Sequence, residues 1–317
     1  MSQENPFLII KIRTLILWFL LSILIIFVLS TIVGIIWGVT SLFGNPDSQP
    51  LNLEVSQLLS NILLNLWLYG VIAGWCFFQM RRSRLQMKPL IGSFRGTREQ
   101  WRLLFLVFPT LLFSIGSGQL LFYMLALIAP DSVKNILQNS NLFLHSSEGF
   151  YAFAYNFINA VVLIIVAPII EEFLFRGIIF QRFAARWQIG TGIILSSLLF
   201  GILHLNPIGL SVFGAIAALL YLRTNTLIVP ILFHAINNLI VAIISWATIN
   251  SANTPPTVTE MQNTQTLITG LLFIVVSAPI LIWYIQKNWV RKEDLLPYNN
   301  NLKLPALSPE SSEDVQA

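Results

Sequence analysis

Long apolar runs follow one another along the chain with only short polar interruptions: 14–43, 58–80, 103–129, 152–186, 190–205, 208–222, 226–247 and 266–286. A helix that crosses the hydrocarbon of a bilayer needs about 20 mostly apolar residues. All but the fifth and sixth runs reach that length. The pattern therefore predicts an all-α, polytopic integral membrane protein of about eight transmembrane helices, the fifth and sixth short. The first run is too long for the core of a secretory signal, and no small-residue cleavage site follows it, so it is expected to stay attached. The chain divides into helices one to three with a basic loop (1–150), a core of helices four to seven (151–247), and an outer loop at 249–262 leading to helix eight (248–296). A polar, Pro-containing tail (297–317) is expected to be disordered. Gly34/Gly38 and Gly70/Gly74 match the small-residue pattern that lets helices approach closely, and ordinary packing accounts for it equally well.

Composition removes the soluble alternative. Of 317 residues, 56% are hydrophobic and 10% charged, against roughly 25% charged in soluble domains, and the mean hydropathy is +0.74. Two soluble domains of this composition could not cover their cores with polar surface. The formal charge of +4 comes from basic residues at helix ends. Arg81, Arg82, Arg84, Lys88, Arg95, Arg98 and Arg102 fill the second connection, and Lys287, Arg291, Lys292 and Lys303 follow the eighth helix, with Lys134 alone on the other side. This asymmetry predicts that both termini are cytoplasmic, and it forms no single stripe that would suit nucleic acid. Cys76 is the only cysteine, which excludes disulfides within the chain and thiolate metal clusters.

Ionisable groups inside hydrocarbon are costly and mark function by default. Here they cluster: Glu171, Glu172 and Arg176 in the fourth run, His204 at the end of the fifth, and His234 in the seventh with Asn237 and Asn238 close behind. No span contains Asp, which argues against an aspartyl intramembrane protease. If helices four and five turn near Trp187–Gly190, Glu171 and His204 both lie about 21–23 Å from that turn at ~1.5 Å per residue. His234 and Asn238 reach about 15 and 21 Å from Thr224 by the same rise. Four polar groups from three helices thus share one layer. Residues four apart share a helix face, so Glu172 and Arg176 are expected to pair and play a supporting part, while Glu171 points about 100° away and is left free. His145, Glu148 and Lys134 fall in an outer connection and are expected to be solvated.

A buried carboxylate can act as general base on water. Two imidazoles can position that water, hold a metal or donate to an oxyanion, and an Asn amide can also donate. Neither His-Glu-x-x-His nor Gly-x-Ser-x-Gly occurs, which leaves water-mediated hydrolysis, with an amide the favoured bond. A transporter or channel that relays protons or ions through the same Glu and His residues is the alternative. A catalytically idle scaffold is a third.

The stretch Glu171-Glu172-Phe173-Leu174-Phe175-Arg176 resembles the motif E-E-x-x-x-R of the CAAX protease and bacteriocin-processing (CPBP, or Abi) intramembrane proteases. Phe200-Gly201-Ile202-Leu203-His204 is similar to its F-x-x-x-H, and His234-Ala235-Ile236-Asn237-Asn238 to its H-x-x-x-N. The resemblance covers about residues 150–245 and implies an endopeptidase like the type II CAAX prenyl endopeptidases, acting on a membrane-associated protein or peptide, lipidated in some members. It implies that Glu171 activates water with help from His204, that His234 and Asn238 stabilise the tetrahedral intermediate, and that Glu172 and Arg176 support them. The family spacing selects Asn238 over Asn237. It is also compatible with a divalent metal, zinc first, held by Glu171, His204 and His234. A metal-free water activated by Glu171 is the competing account, and the residues leave both open.

Overall fold

A computed structural model describes residues 5–43, 53–139, 149–251 and 257–303, and every regular element among them is helical. In chain order these are a 3₁₀ turn at Pro6–Ile9, then α1 (Arg13–Phe43), α2 (Leu53–Ser83), α3 (Met87–Ile91), α4 (Arg98–Leu104), α5 (Val107–Ile128), α6 (Pro130–Asn139), α7 (Phe150–Arg186), α8 (Ile189–Ile202), α9 (Pro207–Thr224), α10 (Ile228–Ser251), α11 (Val258–Met261), α12 (Thr264–Asn288) and α13 (Pro297–Lys303). Seven stretches within them are long and apolar enough to cross a membrane, and α8 is a shorter apolar helix. At about 1.5 Å per residue α8 reaches only part-way through hydrocarbon. The protein is an integral membrane protein with an all-α fold.

Exposure follows the apolar solvent. The apolar part of α1 (Arg13–Ile32) has a mean hydropathy of 2.9 and no fully buried residue, as expected of a peripheral helix that rests one side on α2, through Thr14, Trp18, Phe19 and Ser22, and turns the rest to lipid. By contrast α9 is enclosed: Phe213, Ile216, Ala217, Ala218, Leu219, Leu220 and Tyr221 are shielded almost completely. It packs between α8, α5 and α10. Small residues set these crossings. A Cβ on Gly201 of α8 would strike the Pro207 carbonyl and the Ser211 hydroxyl of α9, and one on Gly116 of α5 would come within 2.6 Å of the Gly270 carbonyl of α12. The pattern at Gly70/Gly74 serves no such approach, since a Cβ on Gly70 would meet open space. Spacing along one helix says nothing of which face the partner takes. The surroundings of Gly34, Gly38, His145 and Glu148 lie outside the described residues. The outer connection at 249–262 carries a single helical turn, α11, started by a capping box between Thr257 and Glu260.

The expectation of disorder from residue 297 fails over α13. Pro297 and Tyr298 are buried. The Tyr298 N–H donates to Gln181 Oε1 at 3.2 Å, and the Tyr298 hydroxyl accepts the Gln86 N–H at 3.1 Å. Asn301 Nδ2 donates to the carbonyls of Pro89 and Asn225, each at 2.8 Å. Over this stretch the Tyr298 and Asn301 side chains satisfy backbone groups of the turns beneath them. Gly92, at φ +72°, fits this layer because a Cβ would collide with the Asn225 carbonyl. Residues 304–317 lie outside the described residues.

Candidate active site

The site grows from α7. Two π-helical stretches, Val162–Val166 and Phe173–Phe180, interrupt its α-helical winding, and the acidic pair lies between them. Pro168 has no N–H to give. In the register set by Ala167 N–H bonding to the Val162 carbonyl, that missing donor would have served Leu163. The Leu163 carbonyl instead accepts Asn238 Nδ2 of α10 at 2.8 Å, while Asn237 Nδ2 donates to Asn238 Oδ1 at 3.2 Å. Asn238 therefore repairs a backbone defect in the helix that carries the two glutamates, and keeps a second amide hydrogen.

Downstream, the charges resolve into a buried triad and a looser pair. Glu172 is fully buried, and its Oε1 accepts Arg176 Nη1 at 2.8 Å and His234 Nδ1 at 2.9 Å. Arg176 also donates Nη2 to the Gly214 carbonyl of α9 at 3.1 Å, and its guanidinium lies 4.7 Å from the centre of the Phe200 ring. Because a carboxylate paired with arginine only accepts, His234 Nδ1 carries a proton, and Nε2 is the nitrogen left to act. Glu171 turns elsewhere. Its Oε2 is 3.9 Å from His204 Nε2, and the two side chains keep 17% and 34% of their surface exposed. The Glu171 side chain thus keeps some exposed surface where Glu172 keeps none, although its Oε2 is itself buried.

His204 sits just beyond the end of α8, in the turn to α9. Its Nδ1 lies 2.6 Å from the Phe200 carbonyl. A carbonyl cannot donate, so Nδ1 holds the proton, and Nε2 faces Glu171 as an acceptor in the neutral ring. Two residues on, Asn206 ties the turn down: its Nδ2 donates to the Ser114 carbonyl of α5 at 2.7 Å, and its Oδ1 accepts the Gly209 N–H at 3.1 Å. Phe200 forms the floor, in ring contact with Phe175, His204, Phe213 and His234.

The structure brings Glu171 to His204 and Glu172 to Arg176 and His234, on helices that pack together. The expected Glu172–Arg176 pair is present. The bond from Glu172 to His234 was not expected, because it joins residues 62 apart and no spacing rule reaches across helices. Asn206 opens α9, an Asn before Pro at a helix start being a capping signal. A group also missed is Tyr69 of α2, whose hydroxyl lies 3.4 Å from Glu171 Oε1. The bond from His234 Nδ1 to Glu172 leaves Nε2 open as a ligand, but Glu171, His204 and His234 are not gathered around one point where a zinc could sit. Among the described residues no three His, Cys, Asp or Glu are grouped to hold a metal. A cavity of about 840 Å³ opens elsewhere, on the basic face beside Lys88, Arg95, Glu99, Arg223 and Asn301.

Residues 153–240 match the family model for the Rce1-like, type II CAAX prenyl endopeptidases. Over 118 residues the chain is 35% identical to the "Putative membrane peptidase YdiL" of Bacillus subtilis (strain 168), a match covering 36% of this chain and 46% of that protein. The chain therefore spans less than half of that relative. No solved structure matches.

Proposed function

From a chain whose residues 153–240 are Rce1-like, we propose an intramembrane endopeptidase that hydrolyses a peptide bond in a membrane-associated protein or peptide, with the basic face and both termini in the cytoplasm. One observation carries the reading: two adjacent glutamates have opposite environments. Glu172 is fully buried with Arg176 and His234 on its Oε1, while the Glu171 side chain is partly exposed and has no Arg or Lys paired with it among the described residues, its Oε2 lying near His204 Nε2. Oε2 of each glutamate is buried and without a hydrogen-bond partner among the described residues.

In the proposed reaction a water between Glu171 and His204 donates its hydrogens to Oε2 and Nε2. As its oxygen attacks the scissile carbonyl carbon, one proton passes to Glu171. The carbonyl oxygen becomes an oxyanion, and two donors are assigned to it: His234 Nε2–H and the second amide hydrogen of Asn238. His234 donates there only as imidazolium, since its Nδ1 proton is committed to Glu172. When the carbon–nitrogen bond breaks, Glu171 returns its proton to the leaving amine, giving a carboxylic acid and an amine with no net change at the enzyme. No step is routed through a metal, so exhaustive dialysis against chelator should leave cleavage unchanged.

The proposal is tested by profiling protein termini in membranes from cells carrying the native chain or Glu171→Gln at equal abundance. New termini should appear with the native chain and be absent with the variant. Identical termini in both would overturn the peptidase reading and return ion or proton transfer to the front.

A further inference from the structure

Glu171 Oε1, the oxygen turned away from His204, has one hydrogen-bond partner among the described residues, the Tyr69 hydroxyl at 3.4 Å. Tyr69 lies on α2, outside the Rce1-like segment. An ionised carboxylate only accepts hydrogen bonds, so the hydroxyl is the donor. The separation is long for an O–H···O bond, as is common for active-site contacts before substrate tightens them. Resting on the peptidase reading above, we propose that Tyr69 is a positioning residue of the active site. It holds one oxygen of Glu171 so that the other, Oε2, faces His204 and the attacking water.

The rest of α2 supports this assignment. Asn61, Asn65 and Tyr69 recur every four residues and so share one face. Asn61 Nδ2 donates to Asn159 Oδ1 of α7 at 2.9 Å, and Asn65 Nδ2 donates to the Asn61 carbonyl at 3.0 Å. Interhelical amide bonds in an apolar solvent fix how two helices lie against each other. The Asn61–Asn159 bond thus fixes α2 against the helix that carries Glu171, two turns above the tyrosine. Without the hydroxyl, the Glu171 carboxylate is free to rotate about its last bond, and neither oxygen is assigned to the water. Phenylalanine fills the same space as tyrosine, so Tyr69→Phe isolates the hydroxyl from packing.

Two readouts on the full chain in liposomes test the proposal. The first is labelling by dicyclohexylcarbodiimide, an apolar reagent for protonated carboxyls, with fragmentation separating Glu171 from Glu172. Loss of a donor to the Glu171 carboxylate should make Tyr69→Phe label there several-fold faster than the native chain, with Glu172 unchanged. An unchanged rate at Glu171, or an equal rise at both glutamates, would overturn the proposal, the second because it reports loosened packing. The second readout is cleavage of a peptide from the Glu171-dependent termini. In Tyr69→Phe, kcat should fall about tenfold, the scale of one hydrogen bond to a charged group, with KM unchanged. An unchanged kcat, or a loss confined to KM, would contradict positioning. If no terminus depends on Glu171, the peptidase reading fails, and the labelling result alone decides whether Tyr69 holds Glu171.

Discussion

Glu171 and Glu172 are neighbours in sequence with unlike surroundings, and that difference was half legible. The four-residue spacing of Glu172 and Arg176 announces their pair, and the pair is there at 2.8 Å. What spacing could not announce is the third member, His234, because its approach depends on how α10 packs on α7. The buried triad makes a sharp prediction. Removing one partner of a buried ion pair leaves an uncompensated charge and costs about 3–5 kcal/mol. Arg176→Met should lower the thermal midpoint in detergent strongly, and adding Glu172→Gln should recover part of that loss. Equal midpoints for the single and double variants would contradict the account. Asn238 carries a lesson of the same kind. The motif marks it as a candidate oxyanion donor, yet its visible bond mends the carbonyl orphaned by Pro168. Asn238→Ala should therefore lose stability by about 1–3 kcal/mol, the cost of an unpaired buried group, as well as cleavage. A variant that lost cleavage with an unmoved midpoint would assign Asn238 to chemistry alone.

At the scale of elements, the helix-turn-helix of α8 and α9 delivers His204. The sequence shows two short apolar runs separated by Asn206–Pro207, and the structure gives the reason for their shortness: α8 ends at Ile202 and the chain turns back at the depth of the site. Gly201 permits the turn by letting the α9 backbone approach, so Gly201→Ala should force the helices apart at a cost of about 1–3 kcal/mol. Asn206→Ala removes the cap of α9 and the tie to α5. It should cost about 1–2 kcal/mol and slow cleavage by releasing His204, read as a lower kcat at temperatures where the chain stays folded. A kcat equal to the native value would show that the turn needs no tie. The π stretches of α7 were invisible beforehand, because apolar residues fit either winding. Only Pro168, as a missing donor, hinted at irregularity.

At the scale of the molecule, apolar runs foretold the helices well, since membrane length is a strong constraint. They foretold the ends poorly. The segment after α12 is folded back and pinned: Arg223 donates to the Asn288 and Trp289 carbonyls and pairs with Asp294 at 2.9 Å. Burial pushes the Asp294 carboxyl up, but the Arg291 N–H and the Arg223 and Arg291 guanidiniums outweigh it and hold the group below the usual carboxylate range. A depressed folded-state pKa means stability present above the unfolded value, about 3.9, and lost as pH falls through the folded value. Limited proteolysis between Trp289 and Pro297 should thus stay slow at neutral pH and quicken only in strong acid. Asp294→Asn should be cut faster at neutral pH with no further acid response in that range. A native chain cut equally fast at neutral and strongly acid pH would contradict this clamp.

The central claim is that Glu171 is the base of a hydrolytic site, and purified protein tests it most directly. Native chain and Glu171→Gln, each in liposomes and each shown folded by an equal thermal midpoint, are given the same peptide taken from a Glu171-dependent terminus. A positioned general base contributes about 10²–10⁴-fold. The native chain should cleave at a single bond, with the variant slower by at least the lower of those factors. Cleavage by Glu171→Gln at the native rate would contradict the account.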